Sequence, residues 1–344
     1  MRVVIVGATG NVGIATTRAI AADERVDAVI GAARRTPSLS IGKVTWVPVD
    51  ITSDPLDVVV EGADVVVHLA WKIQPQHDEA AMSATNVGGT RRLLAAIEQH
   101  RIPAVVVASS VGAYAPGPKR EPWPGWAGVS ETWPATGIRS SAYSRDKATV
   151  EAMLDSFEAA HPATRVVRLR TSLVFQRAAA SEIHRLFLGR WLPWHLPHVL
   201  RVIPAPRRLV FQATHADDIA DAYRRAALDP SARGAYNVAA DPVLTPQSIA
   251  ETVGGHAVPM PAVLLRAAAE ASFRCRLQPS GGGWVDMALQ TPLMDSARVR
   301  SELGWSPTRT SLAALSELLD GIGNGAGEAT PPLTPRDASG RLPS

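Results

Sequence analysis

Tyr143-Ser144-Arg145-Asp146-Lys147 places a phenol and an ammonium four residues apart. On a helix that spacing puts both groups on one face, so they can address the same point in space. A phenol with a pKa near 10 is a poor base at neutral pH, and bringing it to 7 takes about 4 kcal/mol. A cation about 4 Å away supplies an energy of that size at an effective dielectric of about 20. The chain holds four lysines, Lys43, Lys72, Lys119 and Lys147, and four tyrosines, so abundance does not explain the pairing. A solvated surface pair is the plainer reading of the same five residues. Ser109-Ser110 directly follows the apolar run Ala104 to Val107 and falls at the carboxyl end of a strand, where open α/β sheets place their ligands. A hydroxyl there can donate to a substrate oxygen, although serines after strands also serve as turn formers.

Near the start, Val3-Val4-Ile5-Val6-Gly7-Ala8-Thr9-Gly10-Asn11-Val12-Gly13 reads as a strand, a glycine turn and the first residues of a helix. Gly7 permits the sharp turn, Gly10 lets the backbone approach a pyrophosphate, and Gly13 lets helix and strand pack closely. Thr9, Asn11 and Val12 belong to the same turn, whose free amides would face the anion. The strand-to-helix context makes this a dinucleotide signal rather than a bare glycine triplet. Where the second strand ends, Gly31-Ala32-Ala33-Arg34-Arg35 lacks the carboxylate that accepts the adenosine ribose of NAD. A guanidinium can instead pair with a 2′-phosphate, so NADP is the preferred cofactor, with NAD the alternative if both arginines point to solvent. Asp50 and Ile51, after the third strand, fall beside the adenine; alternatively Asp50 caps the following turn.

These groups need elements to hold them. Short β-branched runs alternate with helix-like stretches: Val3 to Val6, Ala28 to Ile30, Val44 to Val47, Val65 to Leu69 and Ala104 to Val107. Helical patterns lie between them, notably Ile14 to Ala22 and Asn86 to Gln99. This alternation predicts an α/β fold with a parallel sheet, and continuous rather than alternating apolar runs mean that helices cover both faces. From Ala115 to Ser140 the prolines and glycines predict a long irregular loop. Trp123, Trp126 and Trp133 in it would form an aromatic lid or simply anchor the loop. A helix over Ser141 to Ala160 carries Tyr143. A strand over Arg165 to Leu169 follows, then further strands at Leu209 to Gln212 and Ala235 to Ala239 with a helix from Asp217 between them.

Apolar residues at 46% and charged residues at 19% describe an ordinary globular protein, and a net charge of +3 without like-charge runs points away from nucleic acid. A single cysteine, Cys275, excludes a disulfide framework and multi-cysteine metal centres, which fits a reducing, cytoplasmic setting. No apolar stretch is long enough to span a membrane. His195 and His198 have a spacing that could hold a metal, but Pro197 breaks the helix that would align them, so no metal is expected.

Gly7, Gly10 and Gly13, His68-Leu69-Ala70, Asn86-Val87-Gly88-Gly89-Thr90, Ser109-Ser110 with Tyr114, and Tyr143 with Lys147 together resemble the extended short-chain dehydrogenase/reductases, the NAD(P)-dependent epimerase/dehydratase group. His215-Ala216-Asp217-Asp218 and Leu303-Gly304-Trp305-Ser306-Pro307 resemble its second half, so the likeness covers about residues 1–320. It implies a doubly wound parallel sheet of the Rossmann type with a smaller C-terminal substrate lobe. The dinucleotide-binding part would be 1–170, with 209–240 returning to it. The substrate lobe would be 171–208 and 241–320, and a loose tail 321–344. Tyr143 would be the general acid/base, Lys147 would lower its pKa and bind the nicotinamide ribose, and Ser110 would hold the substrate oxygen. His68, Leu69 and Ala70 would line the dinucleotide, Asn86 would face it, and Thr171 would lie near the nicotinamide carboxamide. A dimer through two helices, one of them carrying Tyr143, is also implied.

Two departures from the family pattern matter. Ser110 is followed by Val111-Gly112 rather than the acidic pair of the sugar-nucleotide dehydratases, which argues against net dehydration. Arg170 to Gln176 replaces the usual proline and glycine-rich ending after the sixth strand. The expected activity is hydride transfer between a nicotinamide cofactor and a carbonyl or alcohol carbon of a small organic or sugar-like substrate. The alternatives are a nucleotide-sugar epimerase working through a transient ketone, with Arg185 among the candidates for a diphosphate, and an NADP-sensing regulator without catalysis.

Overall fold

In the computed structural model the apolar runs become one seven-stranded parallel sheet, in the order β10-β6-β5-β4-β1-β2-β3. The structure describes residues 1–73, 78–119, 128–188 and 201–335. The strands are β1 (Arg2–Val6), β2 (Ala28–Ala33), β3 (Val44–Pro48), β4 (Val65–His68), β5 (Ala104–Ser110), β6 (Arg165–Thr171) and β10 (Gly234–Val238). Val3 to Val6 and Val65 to Val67 are essentially inaccessible to solvent. That is the burial expected of strands covered on both faces. The order reverses between β1 and β4, so the crevice at the carboxyl ends of those two strands is the switch point where such sheets bind ligands.

Two clusters of apolar side chains sandwich the sheet. One joins Val3, Ile5, Val67 and Val106 to Tyr223 and Trp305; the other joins Val4, Val66 and Val105 to Leu93, Ile97 and Leu154. The two motifs of the second half meet in space, since the Trp305 indole donates to the Asp218 carbonyl at 2.8 Å and the Asp218 carboxylate caps Thr308.

Outside the main sheet, β7 (Leu173–Phe175) pairs with β9 (Ala213–His215), and β8 (Val202–Ala205) with β11 (His256–Pro259). The strand expected over Leu209 to Gln212 is displaced: only Phe211 makes a bridge there, to Leu244, and the strand begins at Ala213. Two helices that the sequence pattern did not signal, Ala262–Arg274 and Gly282–Gln290, complete this lobe. The loose tail expected from Gly321 does not begin there. The helix Ser311–Gly323 is followed by a packed segment in which Thr330 and Leu333 are buried. Leu333 finds an apolar partner in Ile14 of the first helix, which a composition of Gly, Pro and Ala does not announce.

No described helix is long and apolar enough to cross a membrane. Among the described residues no three His, Cys, Asp or Glu side chains gather as a metal site requires. His195, His198, Trp123 and Trp126 lie outside the described residues.

Candidate active site

The first turn is built on glycine for three different reasons. Gly7 has φ +90°, a conformation that favours glycine, and a Cβ on it would lie 2.4 Å from the Ala70 nitrogen. A Cβ on Gly13 would lie 2.1 Å from the Gly7 carbonyl, so the helix Asn11–Ala21 reaches β1 only because that atom is missing. At Gly10 a Cβ would meet nothing closer than 3.8 Å, because the residue faces open space at the helix start. Asn11 turns away: its amide donates to the Val174 carbonyl at 3.0 Å and its oxygen accepts from Gln176.

A cavity of about 1030 Å³ opens beside this turn. Thr9, Gly10, Arg34, Arg35, Asp50, Ile51, Leu69 and Ala70 all line it, as do Trp71 and Lys72. Arg34 and Arg35 are exposed on its wall without a hydrogen-bond or ion-pair partner among the described residues. Asp50 both lines the cavity and caps a turn, accepting from the Thr52 amide at 2.8 Å and hydroxyl at 2.6 Å. Those bonds hold its carboxyl below the usual range.

The helix Ala142–Ala160 is capped by Ser141 and carries Tyr143 and Lys147. Gly112 leaves room for the Tyr143 ring, since a Cβ there would come within 2.9 Å of it. Ser110, at the end of β5, accepts from the Gly112 amide at 3.0 Å and lies near the Tyr143 hydroxyl, where it favours the ionised phenol. Burial pushes Tyr143 up to about 12, and Ser110 offsets only part of this. Lys147 lies 5.8 Å from the centre of the Tyr143 ring and donates to the Ala108 carbonyl at 2.7 Å. Burial pulls it down to about 7 against the charges of Glu151 and Asp146. The lysine expected to lower the phenol therefore does not do so by itself: desolvation costs both groups their charge.

Trp71, the residue after the His68-Leu69-Ala70 run, stacks on this pair. Lys147 Nζ lies 3.4 Å from the centre of an indole ring, and the Trp71 and Tyr143 rings meet edge to face at 6.0 Å. On the other side Trp284 lies 5.2 Å from the Tyr143 ring and carries Phe187 edge-on at 5.1 Å. Neither Trp71 nor Trp284 stood out in the sequence. Adjacency to Ala70 could have marked the first, but only folding brings the second to Tyr143.

Several expected residues sit behind the site instead of in it. His68 is buried against the Thr90 hydroxyl at 2.9 Å and is pulled down to about 3 by burial and by Lys147, so it is a packed neutral histidine. Asn86, in a π-helical turn Ala84–Gly88, is fully buried. Its oxygen accepts from the Lys72 amide at 2.8 Å, and its amide donates to the Lys72 carbonyl and to Asp146. It thus fixes the loop after β4 that lines the cavity, with no donor or acceptor turned to the cavity. Thr171 is buried beside Ser110 in the β5 and β6 register.

Of the serine pair, Ser109 points the other way, donating to Glu151 at 2.5 Å. Glu151 also accepts two bonds from Arg170 and one from Arg168. Burial works against its charge, yet these partners hold the carboxyl below the usual range. Arg170 reaches on to the Tyr114 hydroxyl at 3.1 Å, which donates to Asn237 at 2.6 Å. Glu151 lies one turn after Lys147 on the same helix face, a signal that sequence spacing did contain.

The model of the NAD dependent epimerase/dehydratase family matches residues 3–239. The chain belongs to this family. It is an enzyme of the extended short-chain dehydrogenase/reductase type. An uncharacterized protein of Mycobacterium tuberculosis is 25% identical over 335 residues, covering 93% of this chain and 84% of the relative. Among solved structures, UDP-glucuronic acid 4-epimerase from Bacillus cereus in complex with NAD has a TM-score of 0.67 at 17% identity. UDP-glucose 4-epimerase from Thermus thermophilus in complex with NAD has a TM-score of 0.64 at 22% identity. Each likeness covers 94% of this chain and 99% of the other, and at such identities what it shows is the shared fold.

Proposed function

We propose that this enzyme binds a nicotinamide dinucleotide in the cavity beside the glycine turn and transfers hydride to or from a carbonyl or alcohol carbon of a small organic or sugar-like substrate. The observation that carries this reading is the meeting of Ser110, Tyr143 and Lys147 at the carboxyl end of β5, next to the cavity of the switch point. The cavity suits the cofactor: Gly10 faces it without a side chain, and two unpaired guanidiniums line it. The Gly7, Ala8 and Gly10 amides already donate to the Ala32 and Gly7 carbonyls, so the pyrophosphate would be held by the backbone amides of Thr9, Asn11 and Val12 at the helix start, and Ile51, Leu69 and Ala70 would line the rings.

A nicotinamide held beside Tyr143 would supply the hydride acceptor or donor and, in its oxidised form, a positive charge near the phenol. Tyr143 takes the proton from the substrate hydroxyl during oxidation and returns it during reduction. Ser110 holds the substrate oxygen against the Tyr143 hydroxyl. Lys147 supplies the local positive charge, which Glu151 and Asp146 support. The lobe formed by residues 171–208 and 241–320 would cover the substrate, with Trp284 over the Tyr143 ring.

NADP is preferred in this reading because Arg34 and Arg35 occupy the place of the ribose-binding acid. The solved relatives named above carry NAD in their complexes, so this preference rests on the two arginines alone. Epimerisation through a transient ketone is the second reading, supported by the UDP-sugar 4-epimerases among the similar structures. It would use the same residues and leave no net change in the cofactor.

Tyr143→Phe separates binding from chemistry. Dinucleotide affinity should stay near wild type while turnover falls by about 10²- to 10⁴-fold. Unchanged turnover would remove Tyr143 from the mechanism. Stereoisomer formation from a nucleotide sugar without cofactor consumption identifies an epimerase, whereas net NADPH consumption with a carbonyl substrate identifies a reductase.

A further inference from the structure

We propose that residues 328–335 belong to the cofactor site as a C-terminal strap, which walls the adenosine end of the cavity and slows release of the dinucleotide. The assignment rests on the dinucleotide reading of that cavity. Ala329, Thr330, Pro331, Pro332 and Thr334 line the same space as Gly10 and Arg34 to Ser38.

The strap is held by specific contacts along the first helix. Glu328 pairs with Arg18 at 3.0 Å, and Leu333 is fully buried against Ile14. Arg18 and Ile14 are one turn apart on one helix face, so the strap advances toward the helix start and Gly10. Leu39, Ile41 and Trp46, which follow the Arg34 to Ser38 loop, pack around the same cluster. From the third side Arg185 donates to the Pro332 carbonyl at 2.8 Å. A Cβ on Gly327 would come within 2.3 Å of the Leu333 carbonyl, so the segment closes on itself only with glycine there. The strap therefore joins the helix after the glycine turn to the loop after β2 and to the segment carrying Arg185, and the last two line this cavity.

One group in the strap points to a ligand. Thr330 is 1% exposed, lines the cavity, and its buried hydroxyl has no hydrogen-bond partner among the described residues. Buried hydroxyls are ordinarily paired, because an unpaired one forfeits the bonds it made with water. A ribose hydroxyl or phosphate oxygen of the adenosine half is the chemistry that would satisfy it. Arg34 and Arg35 on the wall of the same cavity match the charge of that half. A dinucleotide behind this wall leaves when Leu333 lifts from its pocket, so it is released more slowly than one in an open groove.

The test measures affinities and dissociation rates of NADPH and NADH by displacement, on the full chain and on Leu333→Asp, Thr330→Val and Thr330→Ser. Thermal unfolding checks that each variant folds. Leu333→Asp should speed release at least about tenfold, because a carboxylate does not stay in an apolar pocket. Thr330→Val should weaken binding about fivefold, and Thr330→Ser should restore it. Wild-type affinity and release in the folded variants would overturn the strap. Failure of the wild-type chain to bind either dinucleotide would instead overturn the reading of the cavity, and the strap with it.

Discussion

Lys119 offers a test of the physical chemistry around the substrate lobe. It is 8% exposed and donates to the carbonyls of Val210 and Ala288, at 2.7 and 2.5 Å. Ala288 lies on the same helix as Trp284 and Met287, so the lysine ties that helix to the segment before β9. Burial, with Arg208 adding to it, pulls the ammonium from the ordinary 10.5 down to about 7. Between those values the folded chain holds fewer protons than the unfolded one. Stability therefore rises with pH through that window, and the cost is fully present below pH 7 and gone above 10.5. At 1.36 kcal/mol per unit the full cost is about 5 kcal/mol. Lys119→Met removes the titration but leaves two buried carbonyls without their donor, a loss of about 2 kcal/mol at every pH. The variant should thus be more stable than wild type by about 3 kcal/mol at pH 6 and less stable by about 1 kcal/mol at pH 10, crossing near pH 9. Denaturant midpoints at pH 6, 8 and 10 give the difference, from which Lys147 cancels because it titrates in both proteins. One sign and one size of difference across that range would refute the reasoning.

Changing Arg34 and Arg35 together to Ala should weaken NADPH by about 10- to 100-fold and NADH little, since charge-assisted bonds to the extra phosphate are what is lost; equal losses in titrations of the two would remove the phosphate assignment. The two glycines of the first turn should behave oppositely. Gly10→Ala has room for its methyl and should keep the melting temperature while losing dinucleotide affinity about tenfold or more. Gly13→Ala drives a methyl to 2.1 Å from the Gly7 carbonyl and should lose stability first. If Gly10→Ala binds normally, the backbone there is not where the cofactor approaches.

Most of the scaffold was legible because its signals are local. A β-branched run followed by glycine, or an ammonium one helical turn from a phenol, needs no partner elsewhere to be recognised. The same holds for Ser141, whose side chain accepts the Ser144 amide where the helix carrying Tyr143 begins. The site was legible only as a set of candidates. Ser109 and Ser110 are indistinguishable in sequence, yet the alternation of side chains along β5 sends one to Glu151 and the other to Tyr143. Asn86 and His68 carry polar groups suited to a ligand, yet burial commits them to Lys72, Asp146 and Thr90.

From residue order alone come the parallel α/β architecture, the glycine turn, and the helix that presents Tyr143 and Lys147 together, because each depends on periodicity or on neighbours within one turn. Only the folded chain decides that Trp71 lies under Lys147, that Trp284 reaches Tyr143 from more than a hundred residues away, and that Leu333 closes on Ile14. It also decides the protonation of the pair. Burial raises the phenol and lowers the ammonium, and desolvation is a property of everything packed around a group, which no spacing rule contains.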